Sequence, residues 1–332
     1  MSRVTQTLIP RSQRQSVEDL QQALDLAYGD RVSKRGGFLI MLTLAAVIAI
    51  AGVLTDSTAT VIGAMIIAPL GTPILGIALG IVTGHISLVL RSILWVLIGL
   101  VIVVVLGLVF AVFVATPESL ATNSQVVGRT SPSLMDLMAA LATGFAGGFA
   151  MCRKDLSAVL PGVAISISLV PPLGVVGVCA GQGQWSDALG ALVLFLSNVV
   201  ALVIAGSIVF TMGGYARDPG SSRIANRRRA YLVVTVLAII IAVPLAANSI
   251  ASVALARWSV AIQQSAVTWL EDQKGARVYD IEWSGVTATL DVTTDDGSIP
   301  PLDELQTALS RVLPGYVGVV LDVGQGVEQV VR

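Results

Sequence analysis

The sequence predicts a polytopic α-helical membrane protein of about seven spans, two of them interrupted by proline, followed by a small C-terminal α+β domain. Three observations predict it. Hydrophobic residues fill 55% of the 332 positions and charged residues only 12%, where soluble domains carry about 25% charge. Apolar runs of span length recur from about residue 37 to residue 250. Within them, the stretch Gly63–Gly80 (GAMIIAPLGTPILGIALG) is apolar enough for a bilayer yet holds Pro69 and Pro73. Each proline removes a backbone donor and clashes with the preceding turn, so a straight helix is not expected there.

Residues 1–36 are polar and basic and read as a cytoplasmic N-terminal segment. Ser16-Val17-Glu18-Asp19 has the form of a capping box, opening a short helix with Val17, Leu20, Leu24 and Ala27 on one face. The expectation is a solvated tail whose Arg31, Lys34 and Arg35 form a basic cluster against the membrane. Headgroup binding by those three residues is the sharper alternative.

The transmembrane domain covers 37–250, with apolar runs at about 37–54, 59–83, 89–115, 134–151, 156–180, 188–212 and 230–250. Each approaches the roughly 17–25 residues that a helical span needs. The second and fifth runs are long enough to be kinked spans or pairs of half-helices, and hydropathy does not choose between them. Seven spans put the N-terminus, Arg153-Lys154 and the arginine-rich 213–229 loop on one side. The positive-inside rule then sets the N-terminus in the cytoplasm and the C-terminal domain outside the membrane.

Sliding the first half onto the second by 99 residues pairs Ala51/Ala150, Asp56/Asp155, Ala59/Ala158, Gly63/Gly162, Ile66/Ile165, Leu70/Leu169 and Pro73/Pro172 without a gap. The stretch Pro161–Gly177 (PGVAISISLVPPLGVVG) is thereby the partner of Gly63–Gly80. Halves of about 37–115 and 134–212 each contain three spans, so the second copy enters from the opposite face. Such a 3+3 inverted repeat directs attention to a binding site between its interrupted helices.

Backbone dipoles and hydroxyls are what that site offers. Half-helix N-termini suit an anion, and unwound carbonyls suit a cation. The candidate substrate- or ion-binding residues are Pro69, Gly71, Thr72, Pro73, Ser166, Ser168, Pro171, Pro172 and Asn198. The serines could instead bond back to a carbonyl one turn earlier. Asp56 and Asp155, each just before an interrupted segment, are expected to be helix caps, with gating as the alternative. The glycines of the spans are read first as close-packing positions.

From about 252 the composition changes. A helix over 253–272, strands at 277–283 and 286–292, a helix opened by Pro300-Pro301 and a strand at 316–323 give the order α-β-β-α-β for 252–332. Tyr279, Ile281 and Trp283 are expected on one face of the first strand. The chain holds one histidine, His85, and two cysteines, Cys152 and Cys179, without metal-ligand spacing. No P-loop, HExxH or GxSxG occurs, so no catalytic residue, cofactor or metal is expected, and no nucleic-acid partner.

The run VIGAMIIAPLGTPILGIALG, following a first span ending AGVLTDS, together with the later SISLVPPLGVVG, resembles the bacterial "uncharacterised hydrophobic protein" family, domain-of-unknown-function family 389, over about 35–215. The resemblance supports the membrane core and the pairing of the two proline segments. It implies no activity. Two functions are expected: permeation of a small solute or ion between the interrupted helices, or a structural or sensory role in which those helices form an oligomer interface and the outer domain binds partners. The lipid bilayer and a second copy of the chain are the expected partners.

Overall fold

The structure is a computed structural model that describes residues 9–10, 12–114, 118–156, 169–217, 254–271, 273, 275–284, 287–294 and 299–325, with 235, 239, 243, 246 and 250 as single positions. Its contacts divide the chain into two units, Met1–Ala246 and Ala247–Arg332.

In the first unit, α1 (Val17–Leu24) opens on the anticipated capping box: Asp19 N–H donates to Ser16 Oγ at 3.0 Å and Ser16 N–H returns to Asp19 Oδ2 at 3.2 Å. The helix α2 (Arg31–Leu54) starts six residues before the apolar run, because Asp30 caps it through Ser33 N–H. Next come α3 (Thr58–Ile67) and α4 (Gly71–Thr83), bent by 48° at the break between them. The cause is local: Ala68 precedes Pro69 and is held at φ −72°, ψ 125°, since the residue before a proline is driven from the helical region. Pro73 then sits in the first turn of α4, where its missing N–H is not needed.

A long helix follows, α5 (Ile86–Phe110), extended by a 3₁₀ turn at Ala111–Phe113. Two short helices, α6 (Glu118–Ala121) and α7 (Ser124–Thr130), precede α8 (Leu134–Cys152), which opens on a second capping box, Ser133 with Asp136. Then come α9 (Val170–Gly181) and α10 (Trp185–Met212). Among the described residues, four helices are long and apolar enough to cross a membrane, or five counting the bent pair α3–α4. The seven-span expectation rests also on 156–168 and 230–250, of which 157–168 and most of 230–250 lie outside the described residues.

Packing is crossed. The helix α4 lies against α5 and α10, while α9 lies against α5, α10 and α2. Leu42, Leu70, Ile74, Leu75, Leu169, Leu173, Phe195 and Phe210 meet in one core cluster. A close backbone approach joins α5 to α9: a Cβ on Gly107 would stand 2.7 Å from the Gly174 carbonyl oxygen.

The N-terminal segment departs from the expected solvated tail. Leu20 and Leu24 are 1% and 2% exposed, and α1 packs on α4, with the Leu24 carbonyl against Gly76. Upstream, Gln15 N–H donates to the Cys152 carbonyl at 2.9 Å, and Lys154 N–H to the Gln13 carbonyl at 2.8 Å. Arg14 Nε donates to the Gly213 carbonyl at 2.8 Å and lies over the Tyr215 ring. Residues 12–30 are thus a strap across one end of the bundle. Its apolar face is short, but α4 offers a matching apolar surface, and burial there outweighs exposure of a tail.

In the second unit, a helix over 254–269 precedes β1 (Arg277–Ser284), β2 (Thr287–Thr294), α12 (Leu302–Val312) and β3 (Gly318–Gln325); the helix over 254–269 is α11. The sheet order is β1-β2-β3, with β1–β2 antiparallel and β2–β3 parallel. Ala288, Leu290 and Val292 face the core with Ile262, Ala266, Leu305 and Leu309. One register expectation fails. A bulge between Val278 and Asp280 shifts the alternation, so Val278 and Ile281 pack on the core and Tyr279 is 81% exposed. One extra residue in a strand reverses every later side chain.

The same register aligns Asp280, Asp291 and Asp322 across the three strands on the face away from the core. Like charges directly opposite cost up to about 1 kcal/mol per pair, and Asp291 belongs to two pairs. Asp291→Thr is therefore expected to stabilise this unit by about 1 kcal/mol. The measurement is amide exchange at Leu290 and Val292 in the full chain, which should slow about fivefold; unchanged or faster exchange refutes the repulsion.

Candidate functional site

The break between α3 and α4 gathers four sequence-predicted residues. Pro69 and Thr72 are half-buried, while Gly71 and Pro73 are buried. Thr72 N–H donates to the Pro69 carbonyl at 3.1 Å and Ile74 N–H to the Leu70 carbonyl at 3.4 Å, so the first turn of α4 closes directly after the break. On the other half, Pro171 and Pro172 are buried in the first turn of α9. Both proline sites therefore mark helix starts. Ser166 and Ser168 lie outside the described residues. Asn198, 2% exposed, stands on α10 with Ser197, whose hydroxyl donates to the Leu194 carbonyl at 2.8 Å.

The described wall between these groups is apolar. Leu70 and Ile74 on the first half share one cluster with Leu169, Val170 and Leu173 on the second, each at most 1% exposed. Charge enters only at the two ends of the α3–α4 pair. At the α4 end, Asp25 of the strap accepts from Arg91 Nη2 at 2.9 Å and from Ala27 N–H at 2.8 Å. His85 Nδ1 meets Thr83 Oγ1 at 2.9 Å on the same turn.

At the α3 end the structure corrects the role of Asp56. Ser57, not Asp56, caps α3, its hydroxyl accepting from Thr60 N–H. Asp56 adopts φ +50°, which carries its carboxylate away from α3 to the start of α7. There it accepts from Ser124 Oγ at 2.6 Å and Gln125 N–H at 3.2 Å. The Ser124 hydrogen bond, with the Gln125 amide adding to it, holds this carboxyl below its ordinary pKa. Asn123 and Gln125 complete the clasp, donating to the Val53 carbonyl and Thr58 Oγ1, each at 2.8 Å. Asp155 is engaged differently: Arg153 grips it at 3.0 and 2.7 Å, and that contact lowers its pKa.

The strap residues Arg14 and Asp25 and the clasp residues Asn123 and Gln125 escaped the sequence reading. For the strap a signal existed, since Leu20 and Leu24 form an apolar stripe that needs a partner. For the clasp none did, because single amides in a loop carry no pattern.

Residues 65–204 match the model of a family described as "Domain of unknown function (DUF389)". An uncharacterized protein of Methanocaldococcus jannaschii is 34% identical over 176 residues, which are 53% of this chain and 54% of that protein. The chain thus spans about half the length of the curated relative it matches. That relative is archaeal, so the similarity is not confined to bacteria. No solved structure gives a significant match.

Proposed function

Taking residues 65–204 as a member of the DUF389 family, we propose that this chain is a membrane permeation protein for a small solute or ion, its path running along the two broken helices. The observation that carries the reading is the burial of α4 and α9. At 13 and 12 residues they are about 20 and 18 Å long, too short to cross about 30 Å of hydrocarbon alone. Yet among the described helices they are the most interior, buried along nearly their whole length. Broken helices in a bilayer persist where protein or a cavity receives their freed backbone groups. With α3 adding about 15 Å, the first turn of α4 falls near mid-membrane.

A recurrence at 99 residues supports the reading. The starts of α9 and α10 follow those of α4 and α5 by 99 residues each. Gly84 and Gly183, also 99 apart, take φ +76° and +75° at equivalent turns, which glycine alone adopts without strain. Those turns make equivalent bonds, His85 N–H to the Gly80 carbonyl at 2.8 Å and Gln184 N–H to the Cys179 carbonyl at 2.9 Å. Gly107 meets Gly174 and Gly177, and its counterpart Gly206 meets Leu75 and Ala78. In this reading the apolar cluster at Leu70, Ile74, Leu169 and Leu173 is a closed gate, and Thr72 and Asn198 line the path beside it.

Orientation follows from charge. The strap gathers Arg14, Arg91, Arg153 and Lys154 at one end of the bundle, which the positive-inside rule makes cytoplasmic. With the seventh span expected at 230–250, the C-terminal unit lies outside a plasma membrane. Homo-oligomer formation has one supporting feature: α3 turns Ile62, Gly63 and Ile66 outward. The alternative function, a structural protein whose broken helices form an oligomer interface, could use only that face, because α4 is interior.

The test is flux through liposomes holding the full chain, followed as Na⁺, K⁺ and Cl⁻ conductance and as osmotic swelling in neutral solutes. Flux above empty liposomes is expected, rising when Leu70→Ser and Leu169→Ser are combined. Absence of flux in every assay, from wild type and double variant alike with both monodisperse, overturns the proposal.

A further inference from the structure

We propose that Arg31 and Arg35, with Trp95, form a site for the phosphate group of an anionic phospholipid, at the end of the bundle where α2 and α5 both begin. The proposal is independent of permeation.

The starting observation is a census of acceptors. Among the described residues of the first unit, Arg14, Lys34, Arg91, Arg129 and Arg153 each reach an oxygen of the chain: the Gly213 carbonyl, the Gln22, Asp25 and Tyr28 carbonyls, Asp25, Gln125 and Asp155. Arg31 and Arg35 reach none. They stand one turn apart on α2, hence on one face. The Arg35 guanidinium lies 5.6 Å from the centre of the Trp95 ring, and Phe38 supports that ring edge-on at 5.4 Å. Its Nε is sealed inside the protein without an acceptor. The charge must therefore be answered through the two terminal amines, which remain open. A buried N–H of a charged group left without an acceptor is costly, and a fork of guanidinium amines matches a phosphate better than it matches water.

The level of the site selects a lipid over a soluble anion. Arg35 lies 19 residues before the end of α2, about 29 Å along the helix. Trp95 lies about 28 Å from the end of α5 and its 3₁₀ extension. The two helices run in parallel here, since Arg35 meets Trp95 and, further on, Leu42 reaches Gly99. Both distances match the hydrocarbon thickness of about 30 Å, so Arg35 and Trp95 stand at one boundary of it. Tryptophan favours that depth, and a lipid phosphate sits just outside it. Apolar surface flanks the site, with Val32 84% and Leu94 55% exposed, which suits acyl chains and not a hydrated free ion.

The experiment is native mass spectrometry of the full chain with phosphatidylglycerol, with phosphatidylcholine, and with inorganic phosphate or glycerol phosphate as competitor. Phosphatidylglycerol should bind at least about tenfold tighter than phosphatidylcholine, and neither soluble phosphate should displace it. R35Q should weaken phosphatidylglycerol about tenfold, with R31Q adding to the loss and R153Q leaving it unchanged. R35K keeps the charge but loses the fork, so it should fall between wild type and R35Q. A second readout guards against misfolding: dibrominated phosphatidylglycerol should quench wild-type fluorescence more than W95F fluorescence in monodisperse protein. Equal binding of the two lipids, an unchanged affinity in the double variant, or displacement by free phosphate would each overturn the lipid site.

Discussion

Gly177→Ala is expected to destabilise the first unit by about 3 kcal/mol, the upper range for overpacking a closed contact. The added Cβ would fall onto the Val104 carbonyl oxygen and 2.7 Å from Gly107 Cα, both backbone of α5. Backbone cannot rotate aside as a side chain does, so α5 and α9 must part. That loosens the contact holding α9 to the first half of the bundle. Gly63→Ala supplies the contrast. Nothing lies within 4 Å of a Cβ there, and alanine should add up to about 1 kcal/mol of helix propensity to α3. The measurement is a thermal melt in detergent followed with a thiol-reactive dye, since Cys152 and Cys179 are buried and free. The Gly177→Ala midpoint should fall by many degrees and that of Gly63→Ala should hold or rise. Equal midpoints would mean that the α5–α9 approach is not tight.

Asp25→Ala is expected to release the strap. The Asp25 carboxylate is 7% exposed and answers both Arg91 and the Ala27 amide. Arg91 keeps 44% of its side chain in contact with solvent, so it can be rehydrated once its partner is lost. The cost is therefore set below that of breaking a fully buried pair, at about 2 kcal/mol, the value for hydrogen bonds to a charged group. That corresponds to about thirtyfold more open strap. Trypsin cleavage after Arg14, protected while Arg14 is bonded to the Gly213 carbonyl, should accelerate by that factor. Cys152, under Gln15, should become reactive to a water-soluble maleimide in parallel. Arg91→Gln should release less, because the Ala27 bond survives. A cleavage rate unchanged by Asp25→Ala would show that the apolar contacts of Leu20 and Leu24 alone hold the strap.

Both predictions rest on contacts that no stretch of sequence displays. Gly63 and Gly177 read alike in the chain, as small residues in apolar runs, yet one faces outward and the other touches the backbone of a helix 70 residues away. Asp25 looks like any acid in a polar tail until Arg91 is brought beside it. Asp56 illustrates the same limit within a correct outline. Its place ahead of an interrupted segment suggested an N-cap, and it does serve a helix start, but that of α7, because φ +50° turns it away from α3. In the second unit, the order of helices and strands was legible from alternation and turn residues. The bulge at Tyr279 was not, since nothing in the composition of Arg277–Ser284 announces an extra residue.

By itself the sequence determined the apolar runs of span length, the capping box at Ser16, the interruption at Pro69 and Pro73, and the α-β-β-α-β order of the tail. These depend on local physics: transfer of apolar runs, a missing N–H, a hydroxyl near a free amide. The tertiary structure alone decided which glycines carry the crossed contacts, that residues 12–30 are a strap, and which cations among the described residues are left without an acceptor. Those outcomes depend on which surfaces residues far apart in the chain bring together, and short-range pattern carries no record of them.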